Sequence, residues 1–151
     1  MFALAKRSAD RILKIRPQSV FELKGKLLRK KLAPEVVDAV IADLLEQKLL
    51  DDEFFAKCWI RWRLQRSLGI NRIAYELKEK GVDREIIAKE LRSLRQTHDE
   101  FEVARELAQR QSERHKNIEP VKKRKRISDF LARRGFMFET IKKVLLVLND
   151  K

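Results

Sequence analysis

The clearest pattern of apolar and polar positions lies in residues 70–94. Apolar side chains recur there at intervals of three and four residues, in two sets, and this spacing places each set on one face of a helix. Gly81 separates the sets and can adopt the left-handed conformation that ends a helix, and Asp83 stands where its side chain can cap the next one. The pattern predicts a helix, a tight turn and a second helix. The two apolar sets are Ile70, Ile73 and Leu77, then Ile86, Ile87, Leu91 and Leu94.

The same pattern recurs on both sides of this stretch. Residues 27–44 match it at an offset of 50 residues, and residues 131–148 match it at an offset of 54. Two copies have glycine at the turn, Gly81 and Gly135, whereas the first has Lys31, so we expect that turn to be strained or differently shaped. A unit of about fifty residues holds three helices but buries little core alone.

The repeat predicts the fold class and the domain organisation. We expect an all-α protein, built as an elongated array of three tandem three-helix, helix-turn-helix-like repeats that stack on one another. The expected repeats are residues 1–49, 50–95 and 96–151.

Capping motifs predict where two helices begin. Ser19 and Glu22 have the spacing of a capping box, in which each side chain accepts a hydrogen bond from the other residue's amide. This motif starts the second helix at Val20. Thr97 and Glu100 have the same spacing, and they predict a second capping box at the start of the seventh helix.

One helix of the second repeat carries an aromatic stripe. Phe55, Cys58, Trp59 and Trp62 follow one another at helical spacing, which is what a core-facing surface produces. The two tryptophans could instead stack on nucleic-acid bases. The core interpretation is favoured because the spacing alone accounts for it.

Composition and charge narrow the class of partner. The chain has 36 Lys and Arg against 23 Asp and Glu, a formal net charge of +13, which indicates a polyanionic partner such as nucleic acid or a protein assembled on it. The single cysteine, Cys58, excludes an internal disulfide and is typical of a reducing compartment. The sequence lacks an apolar run of the roughly 20 residues that span a bilayer, and its N-terminus lacks the apolar h-region expected of a signal peptide. We therefore expect a cytoplasmic protein without a membrane contact.

The residues that usually carry catalysis are missing from the sequence. His98 and His115 lack cysteine or histidine companions at metal-ligand spacing, and the glycines are too isolated to form a phosphate-binding loop. Cys58 falls within the apolar stripe, where a buried and inert thiol is expected. We expect no enzymatic activity, no metal and no cofactor.

Basic residues concentrate on the helix before each turn. The densest run, at residues 122–126, is either a solvated helix start or a contact for phosphates or an acidic surface, and the basic character of the whole chain favours the contact. The turn spacing is also that of a DNA-binding helix-turn-helix, in which the helix after the turn reads the major groove. In the first repeat that helix carries Glu35, Asp38 and Asp43, which phosphates would repel, so direct operator reading is the weaker hypothesis.

A series of landmarks runs along the chain from about Asp10. In order, they are Ser19, Glu22, Leu23 and Leu27; Leu50, Asp51, Asp52, Phe55 and Ala56; Ile73, Glu76, Leu77, Lys80, Gly81, Val82 and Ile87; and Arg133, Arg134, Gly135, Phe136, Ile141, Val144 and Leu145. Their order and spacing resemble those of the RecX family, the bacterial regulators of the RecA recombinase. The chain departs from the family at Lys31 and Lys48, where the family more often has glycine.

The resemblance implies a binding protein without catalytic residues. Members of this family lie along the groove of a RecA filament on single-stranded DNA, and binding mostly inhibits recombinase, ATPase and co-protease activities. We expect a monomer that binds this filament, with direct DNA contact as a further possibility. The contacts expected from charge are Lys24, Arg29, Lys30, Arg61, Lys78, Lys80, Lys122, Lys123, Arg124, Lys125, Arg126, Arg133 and Arg134.

Overall fold

A computed structural model describes residues 1–149, and within that range every regular element is a helix. The helices are α1 (Phe2–Ile15), α2 (Val20–Arg29), α3 (Pro34–Glu46), α4 (Asp52–Leu64), α5 (Ile70–Glu79), α6 (Arg84–Thr97), α7 (Glu100–Arg114), α8 (Pro120–Arg133) and α9 (Phe138–Asn149). The all-α prediction is confirmed, and so is the grouping into three-helix repeats, which we call the first (α1–α3), second (α4–α6) and third (α7–α9) repeat. The boundaries at residues 49 and 95 stay a prediction.

The chain forms two compact units. The first consists of Met1–Ile60 with Glu76–Glu90, and the second of Arg61–Tyr75 with the chain from Leu91 onward. Each unit has an apolar core. The core of the first unit contains Ala5, Ala9, Leu23, Leu27, Val37, Val40, Ile41, Leu44 and Leu50. The core of the second contains Ala104, Leu107, Ala108, Ile127, Leu131, Phe136, Ile141, Val144 and Leu145.

The turn between the second and third helix is left-handed in every repeat. The φ angle is 63° at Lys31, 76° at Gly81 and 89° at Gly135. Lys31 therefore keeps the shape of the glycine turns rather than adopting a different one. A left-handed residue other than glycine costs about 1 kcal/mol, so the first repeat contains the strain that the sequence predicted there. Lys48, with φ 59°, is likewise a left-handed residue other than glycine.

Two of the predicted caps are present. Ser19 and Glu22 form the reciprocal capping box at the start of α2, with Glu22 N–H donating to Ser19 Oγ at 3.1 Å and Ser19 N–H donating to Glu22 Oε1 at 3.2 Å. Asp83 accepts the N–H of Glu85 at 2.8 Å and so caps α6.

The capping box predicted at Thr97 and Glu100 is wrong. Thr97 is the last residue of α6, and its hydroxyl donates to the carbonyl of Leu94 at 3.4 Å. Asp99 is the N-cap of α7, and its side chain accepts the N–H of Glu102 at 3.2 Å. The Glu100 carboxylate is buried instead, and it bonds to distant parts of the chain.

A pair of hydrogen bonds links the first repeat to the second within the first compact unit. Ser19 Oγ donates to the carbonyl of Lys80 at 2.6 Å, and Val20 N–H donates to Asp52 Oδ1 at 2.8 Å. These four residues form what we call the first joint. It brings the start of α2 against the start of α4 and the end of α5.

The second compact unit contains an equivalent second joint, formed by Gly69, Ile70, Glu100 and Arg134. Gly69 N–H donates to the carbonyl of Arg134, and Ile70 N–H donates to Glu100 Oε1, both at 2.8 Å. The other carboxylate oxygen of Glu100 accepts the hydroxyl of Thr140 at 2.7 Å. In both joints, a carboxylate at the start of one repeat satisfies the first amides of the second helix of the preceding repeat.

Candidate polyanion-binding surfaces

The predicted contact residues differ in how much of their side chains they expose. The exposed ones are Lys24, Arg29, Lys30, Arg61, Lys78, Lys122, Lys125, Arg126 and Arg133. Lys80, Lys123, Arg124 and Arg134 are half-buried. Lys24 is paired with Asp38 at 3.0 Å. These exposed cations thus lie on or directly after α2, α5 and α8, the helices that precede the left-handed turns, with Arg61 on α4 as the exception.

Some of these cations converge in the first unit on a groove of about 430 Å³ beside α2. We call it the α2 groove; it is lined by Arg16, Phe21, Glu22, Gly25, Lys26, Arg29, Glu79 and Lys80. Four cations there face two carboxylates, so the lining is net positive. A Cβ placed on Gly25 would meet no atom within 4 Å, which shows that the helix backbone is open to the groove.

Arg16 and Lys26 were not among the predicted contacts. Lys26 lies one turn before Arg29 on α2, and that helical spacing was a usable signal. Arg16 follows the end of α1, and it reaches the groove through its hydrogen bonds to Glu22, six residues later. Burial, followed by the charge of Arg16, lowers the pKa of Lys26, with Lys80 and Arg29 acting in the same direction. An anion entering the groove would relieve this crowding of like charges.

Glu22 is the counter-charge inside the α2 groove. Its carboxylate accepts hydrogen bonds from Arg16 Nη2 at 2.6 Å and from Lys80 Nζ at 2.8 Å. Burial by itself would raise the pKa of Glu22, but the hydrogen bonds from Arg16, Lys80 and the Ser19 amide, together with the charge of Arg16, lower it from 4.5 to about 2. Glu22 therefore stays ionised and holds the two cations in place.

The Glu22→Gln variant should lose part of the acid sensitivity of the fold. Because the folded-state pKa of Glu22 is depressed, its contribution to stability is complete above pH 4.5 and disappears as the pH falls towards 2. Since the ion pairs are partly open to water, we expect this contribution to be about 2 kcal/mol. Urea unfolding from pH 7 to pH 2 measures it. A variant that loses stability with acid as steeply as the parent would contradict the assignment.

Trp59 is half-buried and is held by side chains of the first unit. Its ring stacks on Phe55 with centroids 5.8 Å apart, and Lys80 Nζ lies 4.8 Å from the ring centroid. The indole N–H donates to Glu76 Oε1 at 3.1 Å. Phe55 and Cys58 are buried as the apolar stripe predicted, whereas Trp59 and Trp62 are only half-buried. These contacts favour the structural role of Trp59 over base stacking.

The basic run of the third repeat is divided between two sides of α8. Consecutive residues of a helix are about 100° apart, so five cations in sequence cannot share one face. Lys122, Lys125 and Arg126 are exposed, while Lys123 and Arg124 are half-buried and line a groove of about 370 Å³ between α8 and α9. Arg124 Nη1 also donates to the carbonyl of Leu145 at 3.2 Å. We call this second cavity the α8 groove.

Arg134 has a structural role in the second unit. Its guanidinium donates to the carbonyl of Ser67 at 3.3 Å and to that of Arg66, and it lies 5.6 Å from the centroid of the Phe130 ring. Arg133, the preceding residue, is exposed. Of these two predicted contacts, Arg133 is the more accessible to a partner.

The part of the chain that the structure describes has neither a candidate metal site nor a candidate membrane span. No group of three or more His, Cys, Asp or Glu side chains in residues 1–149 is arranged to hold a metal ion. None of the described helices combines the length and the apolar character needed to cross a bilayer.

Comparison with known proteins gives the same family for each repeat. The model of the first three-helix domain of RecX matches residues 5–44, that of the second domain matches residues 51–91, and that of the third matches residues 98–145. The three matches follow the order of the repeats in the structure.

Whole-chain relatives and solved structures agree with these matches. Regulatory protein RecX of Caldanaerobacter subterraneus subsp. tengcongensis is 31% identical over 141 residues, which are 93% of this chain and 68% of that protein. The Chlorobium limicola protein of the same name is 33% identical over 91% of this chain and 84% of its own length. The crystal structure of RecX from Lactobacillus salivarius has the same fold, with a TM-score of 0.85, 20% identity and coverage of 99% of this chain and 97% of that one. The chain belongs to the RecX family of regulatory proteins.

Proposed function

We propose that the chain binds RecA filaments assembled on single-stranded DNA and inhibits their recombinase, ATPase and co-protease activities. It acts by binding, as a monomer, and not by catalysis. Membership of the RecX family supports a role as a regulator of RecA. The net charge of +13 favours electrostatic attraction to a filament that contains nucleic acid.

The observation that carries the proposal is that exposed cations recur in all three repeats on, or directly after, the helix before the turn, in addition to those on other helices such as α6. Arg29 and Lys30 follow this rule in the first repeat, Lys78 in the second, and Lys122, Lys125 and Arg126 in the third. A partner built from repeating subunits and phosphates can be contacted at each of these helices in turn. Arg61, on the exposed side of α4, is a further contact.

The alternative is direct DNA binding by a helix-turn-helix. The left-handed turns at Gly81 and Gly135 suit that motif. However, the helix after the first turn exposes Glu35 and Asp38, and carboxylates next to phosphates are repelled. Filament binding avoids this conflict because it uses the helices before the turns.

Titration of RecA ATP hydrolysis tests the proposal. Adding the chain at substoichiometric amounts to RecA on single-stranded DNA should lower the rate of ATP hydrolysis, since a regulator that bridges protomers affects several of them. Binding to naked single-stranded and duplex DNA at two salt concentrations is measured in parallel. Unchanged hydrolysis at equimolar protein would overturn the proposal, and equal affinity for naked DNA and for filaments would favour the alternative.

Replacing Lys122, Lys123, Arg124, Lys125 and Arg126 with glutamine should weaken filament binding by at least tenfold, because it removes five cations from one helix. The matched control replaces five exposed cations elsewhere. These are Arg7, Arg11, Lys14, Arg92 and Arg95. Fluorescence anisotropy with labelled filaments measures both variants, and circular dichroism checks that their helix content is unchanged. Equal weakening by the two variants would mean that only net charge matters.

A further inference from the structure

In each joint, the following repeat covers the start of the second helix of the repeat before it, and the third repeat differs at the corresponding positions. In the first joint the covered residues are Ser19 and Val20 at the start of α2, and in the second they are Gly69 and Ile70 at the start of α5. In both cases the following repeat supplies a carboxylate. Ser19, Gly69 and Ile70 are buried, and Val20 is half-buried.

The repeat register assigns the corresponding positions in α8. The offset of 54 residues that aligns Gly81 with Gly135 also aligns Gly69 and Ile70 with Lys123 and Arg124. α8 begins four residues earlier than this register requires, at Pro120, so its first turn is additional. The third repeat therefore has two cations at these positions, and the Lys123 N–H, unlike those of Val20 and Ile70, donates to the carbonyl of Glu119 at 2.9 Å.

These two cations lie at the edge of an apolar floor. Lys123 and Arg124 line the α8 groove together with Ile118, Ile127, Leu145 and Leu148. Ile127 and Leu145 are 3% and 9% exposed, so the floor is continuous with the core of the second unit. The cavity of about 370 Å³ has room for a few side chains. The phosphates of a nucleic acid would bind the two cations but would make no favourable contact with the apolar floor.

We propose that the α8 groove docks an acidic amphipathic helix of a protein partner. Its carboxylates would bind the side-chain cations of Lys123 and Arg124, whereas Asp52 and Glu100 accept backbone N–H groups in the joints. Its apolar side chains would cover Ile118 and Leu148. The proposal follows from the charge of Lys123 and Arg124 and from the apolar floor beside them, and it does not rest on RecA binding.

The test uses the full chain and labelled model ligands. The probe is a fluorescein-labelled 18-residue helix with leucine on one face and glutamate on the other. Its sister peptides have serine in place of leucine, or lysine in place of glutamate, and a labelled oligothymidylate of similar length represents nucleic acid. We expect the leucine and glutamate helix to bind at least tenfold more tightly than either sister peptide.

Charge-reversal variants locate the binding. Lys123→Glu with Arg124→Glu should weaken peptide binding at least tenfold, whereas Lys125→Glu with Arg126→Glu, on the exposed side of the same helix, should weaken it less than threefold. A third variant, Ile118→Glu, places a charge in the apolar floor of the α8 groove and keeps both Lys123 and Arg124. Thermal unfolding verifies that each variant is folded.

Three outcomes would overturn the proposal. One is binding of the serine and glutamate peptide as tightly as the leucine and glutamate peptide. Another is equal weakening by the two charge-reversal pairs. The third combines two results: the oligothymidylate displaces the peptide, and its own affinity falls in the Lys123→Glu, Arg124→Glu variant but not in the Lys125→Glu, Arg126→Glu variant. This outcome would assign the groove to nucleic acid.

Discussion

Gly69→Ala should lower the free energy of unfolding by about 3 kcal/mol, which corresponds to a fall in Tm of about 10 °C for a chain of this size. A Cβ at residue 69 would lie 2.2 Å from the carbonyl carbon and oxygen of Gly135 and 2.3 Å from the amide nitrogen of Phe136. All of these are backbone atoms, so the clash cannot be relieved by a side-chain rotation. The second joint would have to open, with loss of the Gly69 to Arg134 hydrogen bond.

Gly25→Ala is the matched control for that experiment. The same change on α2 introduces a Cβ that meets no atom within 4 Å, and it removes a glycine from the interior of a helix. We therefore expect a gain of about 0.5–1 kcal/mol. Chemical denaturation of both variants and the parent measures the expected loss of unfolding free energy in Gly69→Ala and the expected gain in Gly25→Ala. A Gly69→Ala protein as stable as the parent would mean that the second joint is not closely packed.

Glu100→Ala should cost about 2–4 kcal/mol, because it leaves two polar groups without their partner. The carboxylate is 6% exposed and accepts both the N–H of Ile70 and the hydroxyl of Thr140. Water cannot replace these bonds without entering the joint. Equilibrium unfolding in urea measures the effect, and loss of amide protection at Ile70 in hydrogen exchange locates it.

Two further variants separate the hydrogen bonds from other effects of the substitution. Glu100→Gln should lose less than half as much stability as Glu100→Ala. Its side-chain carbonyl can still accept the N–H of Ile70, and its amide can donate to the hydroxyl of Thr140. Glu102→Ala, on the same helix, removes a carboxylate that is 45% exposed and pairs only locally with Arg105. It should cost less than about 1 kcal/mol. A loss at Glu102 as large as that at Glu100 would contradict the assignment of the joint.

The features that depend on neighbouring residues could be predicted from the sequence. The repeat register, the capping box at Ser19 and the left-handed turn at Gly81 each follow from a few residues of local pattern. The strain at Lys31 was also predictable, because the register placed it where the other repeats have glycine. Exposure of the cations on α2, α5 and α8 follows from the same helical periodicity.

The features that depend on distant residues could not be predicted. Glu100 has the spacing of a cap residue, but its carboxylate is used by Ile70 and Thr140, which are 30 and 40 residues away. The α2 groove likewise needs Arg16 and Lys80 to meet at Glu22, and only the packed unit brings them together. Single-sequence patterns carry no information about such pairings. The division of the run at residues 122–126 was predictable in principle from helical geometry.

The left-handed lysine of the first repeat has a consequence for protein engineering by module exchange. At Gly81, the equivalent turn, an added Cβ would stand 2.4 Å from Cβ of Phe21, so the turn that receives the preceding repeat requires glycine. The first repeat carries Lys31 at that position. A shuffled chain that placed it second or third would meet a steric block. The side chain of Lys31 therefore limits the positions at which the first repeat can be placed in an engineered chain.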